Sequence, residues 1–297
     1  MPGLSLPLFL GIPALALAVT GALVLQRRGS RQQAAADRRQ DLERRLARCS
    51  AEARALAGEL ARLRAEYDRF AYIVSHDLKA PLRSITGFSE LLRRRLGQEL
   101  PDEAQGYLEF IVDGSRQLQA MIDGLLEYSR AGAPLERPQP VALQPLLARV
   151  RMQYAAVLEE TGGTLECGSL PEVAGDSQRL LLLFQHLVGN ALKFRGTAPP
   201  QVRIGAERSG QEWLISVADN GIGIAPEQQQ RVFEVFQRLH AREAYPGIGI
   251  GLPVCKRIVE AHGGRIWLES TPAQGTTVLF TLPRPSAGSA AGGTSQA

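Results

Sequence analysis

The apolar positions of this chain change period several times along its length. Leu4 to Leu25 is a run of 22 residues without a charge. As a helix it spans about 33 Å, enough for a hydrocarbon core of about 30 Å, and Pro7, Gly11 and Pro13 are tolerated in such a helix. From Leu42 the apolar residues are Leu42, Leu46, Cys49, Ala53, Leu56, Leu60, Leu63, Tyr67, Phe70 and Val74, in steps that alternate four and three. A heptad seam kept this long predicts a parallel dimeric coiled coil. The next steps, to Leu78 and Leu82, are both four, a stutter that unwinds the supercoil where Pro81 also removes a helical hydrogen bond. Gly97, Pro101 and Asp102 make a turn. Tyr107, Ile111, Leu118, Met121, Leu125 and Tyr128 then follow at helical spacing to about Arg130, so two helices per chain predict a dimeric four-helix bundle.

Residues 131–140 carry three prolines and read as a hinge linker. From Val141 the pattern turns mixed. A helix is expected from Leu143 to Glu159, with short strands at Thr164–Cys167 and Glu172–Ala174. Asp176 can cap the next helix, LLLLFQHLVGNALKF, whose many apolar faces call for burial. The strand WLISVAD leads into DNGIGI, residues 219–224. VFEVFQRL, PGIGIGL (246–252), a helix over Pro253–His262 and the closing strands GRIWLES and TTVLFTLP complete the pattern. The fold class is α+β multidomain. The expected segments are an anchor (1–26), a coiled-coil helix (27–69), a helical bundle (70–132), a linker (133–140), an α/β domain (141–284) and a Gly/Ala/Ser-rich disordered tail (285–297).

Charge refines this picture. Of the net +4, residues 27–69 supply +5, with 12 Arg against 7 Asp/Glu, so the remainder is close to neutral. The excess follows the apolar run directly at Arg27, Arg28 and Arg31, and no Lys or Arg precedes that run. The positive-inside bias then puts the rest of a single-pass chain in the cytoplasm, anchored in the inner (cytoplasmic) membrane, and argues against nucleic acid as a partner. Ala14, Ala16 and Ala18 would suit a cleaved signal peptide, but a basic leader is missing. Cys49, Cys167 and Cys255 are too scattered for a zinc site or a disulfide framework.

Several residues carry chemistry. His76 lies two past the seam residue Val74, at a solvent-facing position, with Asp77 beside it. An imidazole with an adjacent carboxylate suits a nucleophile with a local base. Asn190 and Lys193 share a helix face, where an amide oxygen can ligate Mg²⁺ and an ammonium can neutralise phosphate. Gly247, Gly249 and Gly251 precede a helix, and backbone amides at a helix start bind anions. The loop is not G-x-x-x-x-G-K-[ST], so it is no P-loop, and the order of elements rules out a dinucleotide fingerprint.

FAYIVSHDLKAPLRSITGFSELL, residues 70–92, resembles the dimerisation and phosphoacceptor domain of sensor histidine kinases, in the variety found in phytochrome-like kinases. The N box ending at Asn190, DNGIGI, the aromatic box with Phe233 and Phe236, and the second glycine box resemble the ATP-binding domain shared by these kinases and GHKL ATPases. The resemblance implies a mixed sheet sandwiched against helices, with ATP and Mg²⁺ bound beneath a mobile lid. It implies that His76 is the phosphoacceptor and Asp77 its general base. By the same resemblance Asp219 binds the adenine amino group and Asn190 holds Mg²⁺. Lys193, Phe194, Gly221, Gly223, Arg238, Gly247, Gly249, Gly251 and Leu252 complete the ATP site. The phosphate would pass to an aspartate on the receiver domain of a separate response regulator, as no receiver domain follows. Three positions depart from the family: Ala80, where many relatives carry Thr or Asn for phosphatase activity; His186, where many carry a further Asn; and Ile248, in place of a small hydroxyl residue. The last two motivate an alternative, a membrane-anchored pseudokinase scaffold that binds ATP without transferring phosphate.

Overall fold

The computed structural model describes residues 11–96, 100–135, 138–239, 245 and 247–285. The chain divides into two units, Met1–Tyr67 and Asp68–Ala297. The first contains the N-terminal part of a helix, α1, which runs Gly11–Leu96. Leu42, Leu46, Leu56, Leu60 and Leu63 are 58–74% exposed, so the heptad seam has no partner within its own chain among the described residues. Ion pairs one turn apart, Arg39–Glu43, Asp41–Arg45 and Arg62–Glu66, decorate the other faces and add only about 0.2–0.5 kcal/mol each. Among the described residues no helix is long and apolar enough to cross a membrane. Residues 4–10 of the span expected over 4–25, and the tail from 286, lie outside the described residues.

In the second unit α1 forms an antiparallel hairpin with α2, Asp102–Ala131. Asp102 and Glu103 sit in the first turn of α2, where acidic side chains favour the helix dipole. Leu82, Val112, Ile122 and Leu126 are buried, and the pairs Lys79–Asp123 (2.5 Å) and Glu90–Arg116 (2.6 Å) fix the register. Leu78, Ile85, Phe88, Tyr107, Phe110, Ile111 and Leu118 remain 43–81% exposed, more apolar surface than a lone hairpin leaves to water.

The α/β region holds a two-stranded antiparallel sheet, β1 (Gln139–Ala142) with β3 (Glu172–Gly175), and a mixed five-stranded sheet. The latter is ordered β2 (Thr164–Cys167), β4 (Gln201–Ser209), β5 (Glu212–Asp219), β7 (Gly275–Pro283), β6 (Ile266–Thr271), with only β2–β4 parallel. Ile215, Val217, Phe280 and Leu282 of this sheet form one core with Leu180, Leu183, Phe184 and Leu187 of α5 (Ser177–Lys193) and with Val254, Cys255 and Ile258 of α6 (Gly251–Ala261). This is the mixed sheet against helices that the family resemblance implies.

The details correct the sequence reading in four places. Helix Leu143–Glu159 is two helices, α3 (Leu143–Gln153) and α4 (Ala155–Thr161), broken at Tyr154, whose hydroxyl donates to Gln185 O at 3.0 Å beside Gly189. Packing against α5 overrides the helical period there. Gln139 and Pro140, expected in the linker, are ladder residues of β1, an edge position that proline tolerates. Strand β4 was not expected, although Val202 and Ile204 alternate inward along it. Finally, α6 starts at Gly251, two residues before the expected Pro253.

His262 follows α6 and is buried. Its Nδ1 donates to Ile258 O at 2.7 Å and its Nε2 accepts the Asp176 N–H at 3.0 Å, which requires the neutral ring. Burial holds its pKa below the ordinary 6.5. Because the folded-state value is the lower one, the unfolded chain binds the extra proton first, and stability is lost as pH falls through 6.5. Thermal melts at about pH 7.5 and about pH 5.5 should show a drop that shrinks in His262→Gln, whose amide no longer titrates.

Candidate nucleotide and phosphoacceptor site

His76 stands on α1 with its side chain 72% exposed, as the seam position predicts. Its Nδ1 lies 3.1 Å from Asp77 Oδ1. With Nδ1–H donating to the carboxylate, Nε2 keeps the lone pair and is the nitrogen free to attack an electrophile. Ser75, its neighbour, is buried, and Ala80 is exposed one turn further on.

A cavity of about 540 Å³ opens between α5, the 219–224 loop, the glycine loop and α2. Of the residues expected to bind ATP, Asn190, Lys193, Phe194, Asp219, Gly223, Arg238, Gly247, Gly249, Gly251 and Leu252 all line it. Gly221 shapes the wall without lining it: a Cβ there would lie 2.4 Å from Phe194 O, which in turn accepts the Ile222 N–H at 3.0 Å. This glycine lets the loop cross the end of α5.

Asp219 ends β5 in a half-buried position. Both backbone donors that reach it, Gly221 N–H at 2.8 Å and Thr276 N–H at 3.1 Å, bond Oδ1, and no described residue bonds Oδ2. The carboxylate is thus clamped by one oxygen and offers the other to the cavity. Burial raises its pKa, opposed by the two N–H bonds. Gly223 takes φ 68°, and a Cβ would lie 2.1 Å from Thr271 O, so only glycine permits the turn.

Lys193 Nζ sits 4.1 Å from the Phe194 ring centroid and 3.1 Å from where a Gly247 Cβ would be. Burial, and then the nearby Arg238 guanidinium, lower its pKa. No carboxylate pairs with it among the described residues, so two close cations face a cavity whose wall ends in the N–H groups of Gly251 and Leu252 at the start of α6. This donor set fits a polyphosphate, and Oδ2 of Asp219 fits an amino group. Asn190 supplies an amide oxygen suited to a divalent cation.

Some wall residues escaped the sequence reading. Tyr245, whose ring packs 5.1 Å from that of Phe194 and whose carbonyl accepts from Arg238, gave no motif signal. Ala120, Asp123, Gly124 and Glu127 come from α2, and nothing local in sequence announces that a distant helix closes the cavity. Of the aromatic box, Phe233 packs on the core and Phe236 instead faces an apolar recess of the hairpin among Leu78, Leu82, Leu118 and Leu125, at φ 64°.

Residues 66–134 match the His Kinase A (phospho-acceptor) domain, and residues 175–286 match the histidine kinase-, DNA gyrase B- and HSP90-like ATPase family. Over 228 residues the chain is 42% identical to Cyanobacterial phytochrome A of Nostoc sp., covering 77% of this chain and 30% of that one. It is 38% identical to Phytochrome-like protein Cph1 of Synechocystis sp. with the same coverage. The chain thus spans about a third of the length of these relatives. Among solved structures, full-length ShkA in complex with AMPPNP superposes with a TM-score of 0.57 at 27% identity, over 74% of this chain and 46% of that one.

Proposed function

From the premise that this chain belongs to the sensor histidine kinases, we propose that it is an ATP-dependent protein-histidine kinase that phosphorylates itself on His76 and passes the phosphate to a response regulator. The carrying observation is the pairing of a clamped Asp219 and two close cations in one cavity with an exposed His76–Asp77 pair in the same chain.

In the reaction His76 Nε2 attacks the γ-phosphorus of ATP as the bond to the bridging β–γ oxygen breaks, releasing ADP. The Nδ1 proton moves to Asp77 Oδ1, which keeps the phosphorylated ring neutral. Asp219 and Gly221 seat the base; Lys193, Arg238 and the amides of the glycine loop hold the phosphates. Asn190 would hold Mg²⁺, which neutralises charge on the phosphate oxygens. Phosphohistidine then donates to an aspartate of a receiver domain on a separate protein. Ala80 presents a methyl group where a water would need orienting, so phosphatase activity by that route is weak.

The exposed seam and the exposed hairpin face support a homodimer: coiled coil over 27–69, four-helix bundle over 70–132, linker over 133–140 and ATP domain over 141–284. The uncharged run Leu4–Leu25 with Arg27, Arg28 and Arg31 after it supports a single-pass anchor in the inner membrane with the kinase domains in the cytoplasm. Signal would then enter along the stalk. Inserting one or two residues after Arg62 rotates the seam by about 100° or 200° and should change kinase activity severalfold, whereas a seven-residue insertion restores it. Equal activity across the three insertions would rule out transmission through the stalk.

The pseudokinase reading makes a different prediction: ATP binds but its γ-phosphate never becomes protein-bound. Incubating the chain with γ-labelled ATP decides between them, since a kinase gains label that acid removes and alkali does not.

A further inference from the structure

Two of the positions at which the ATP-binding boxes depart from their relatives, His186 and Ile248, both touch helix α2. His186 Nε2 lies 2.5 Å from Glu127 Oε1, with the two side chains only 24% and 34% exposed. Gly124 lies one turn earlier on the same face. A Cβ there would meet Ile248 Cδ1 at 2.5 Å and Ile250 Cγ2 at 3.0 Å, so these isoleucines rest directly on the helix backbone. Neither contact is a by-product of the ATPase core, because α2 belongs to the phosphoacceptor hairpin. Glu127 and Asp123 also line the nucleotide cavity. They add negative charge to a space that a triphosphate must enter, and like charges in a partly enclosed cavity repel. Asp123 has a counter-ion in Lys79 at 2.5 Å, three residues from His76. Among the described residues the hydrogen-bond partner of Glu127 is His186.

We propose that Glu127 and Gly124 of α2, held by His186 and Ile248, form an interdomain latch that competes with ATP for the cavity. Docked, the latch keeps the ATP domain seated on α2 with Glu127 against the cavity. Entry of the triphosphate displaces the carboxylate, opens the latch and frees the domain to approach His76. Nucleotide binding and docking are thus negatively coupled, and the coupling is reciprocal. In this view His186 and Ile248 serve as docking residues, and their departure from the family pattern is no sign of lost activity. The inference rests on the kinase reading above.

The full chain is titrated with a fluorescent, non-hydrolysable ATP analogue and Mg²⁺, comparing wild type with two variants that break the latch by unrelated means. Glu127→Gln removes charge and keeps shape. Gly124→Leu wedges a side chain against Ile248 without altering charge, and leucine is the better helix former. If the latch is closed about four-fifths of the time, each variant tightens binding about fivefold, since apparent affinity scales with the open fraction. Unchanged or weaker binding in both overturns the latch. So does a gain confined to Glu127→Gln, which would report charge removal alone. Failure of every protein, wild type included, to bind the analogue would instead overturn the kinase reading.

Discussion

Asp219→Asn is expected to abolish nucleotide binding while leaving the fold intact. The carboxylate is held by Gly221 and Thr276 N–H groups through Oδ1, so Oδ2 is aimed without freedom to swing away. An asparagine clamped through the same oxygen would present an N–H₂ group to the adenine amino group, donor against donor. Losing a hydrogen bond to a charged acceptor and leaving a buried donor unmet costs about 3–5 kcal/mol, or roughly 100- to 5000-fold in affinity. Stability moves the other way. Burial raises the Asp219 pKa, so the carboxylate contributes stability only in its protonated form, which is lost as pH rises through the folded-state pKa. At neutral pH the ionised group is a burden that the amide does not carry. Calorimetry should therefore find an equal or higher Tm in the variant, with no heat of ATP binding. Retained binding would displace Asp219 from the adenine site.

The second large effect is expected at Asp77. In Asp77→Asn the amide can still hold the His76 ring through its oxygen, 3.1 Å away in the native pair, but it cannot take the Nδ1 proton. The product would be a cationic phosphoimidazole, and the rate of self-phosphorylation should fall about 10²- to 10⁴-fold. ATP affinity should not change, because Asp77 is not among the residues of the nucleotide cavity. Single-turnover kinetics over a range of ATP concentrations separates the two quantities. A loss that appears in affinity and not in rate would mean that Asp77 acts on docking and has no role as a base.

Much of the fold and the site is legible from sequence because the signals are local. The alternation of four and three along the stalk is enough by itself to put His76 on an exposed face. Glycines at 221, 223 and 249 mark places where a Cβ would strike a carbonyl oxygen at 2.1–2.4 Å, so their residue type is dictated by the backbone that shapes the cavity. Asp176 caps α5 as expected, accepting from Gln178 and Arg179 N–H. The failures are where tertiary contacts decide. Tyr154 breaks a helix whose period runs on, because its hydroxyl has a partner on α5. The edge strand β1 contains a proline and reads as linker, and only its pairing with β3 reveals it. The α2 wall of the cavity is invisible for the same reason. Glu127 has an ordinary place on an amphipathic helix, and its proximity to His186 arises only on folding. Taken alone, His186 therefore looks like a defect in the ATP box.

If the nucleotide cavity delivers phosphate to one nitrogen on the stalk, a single peptide carries it. Trypsin releases His76 on the peptide Phe70–Lys79, between Arg69 and Ala80. After incubation with Mg²⁺ and ATP, mass spectrometry at neutral pH should find a single phosphate on that peptide, acid-labile and absent from His76→Gln. Phosphate on any other peptide, or an equal amount in His76→Gln, would contradict the account.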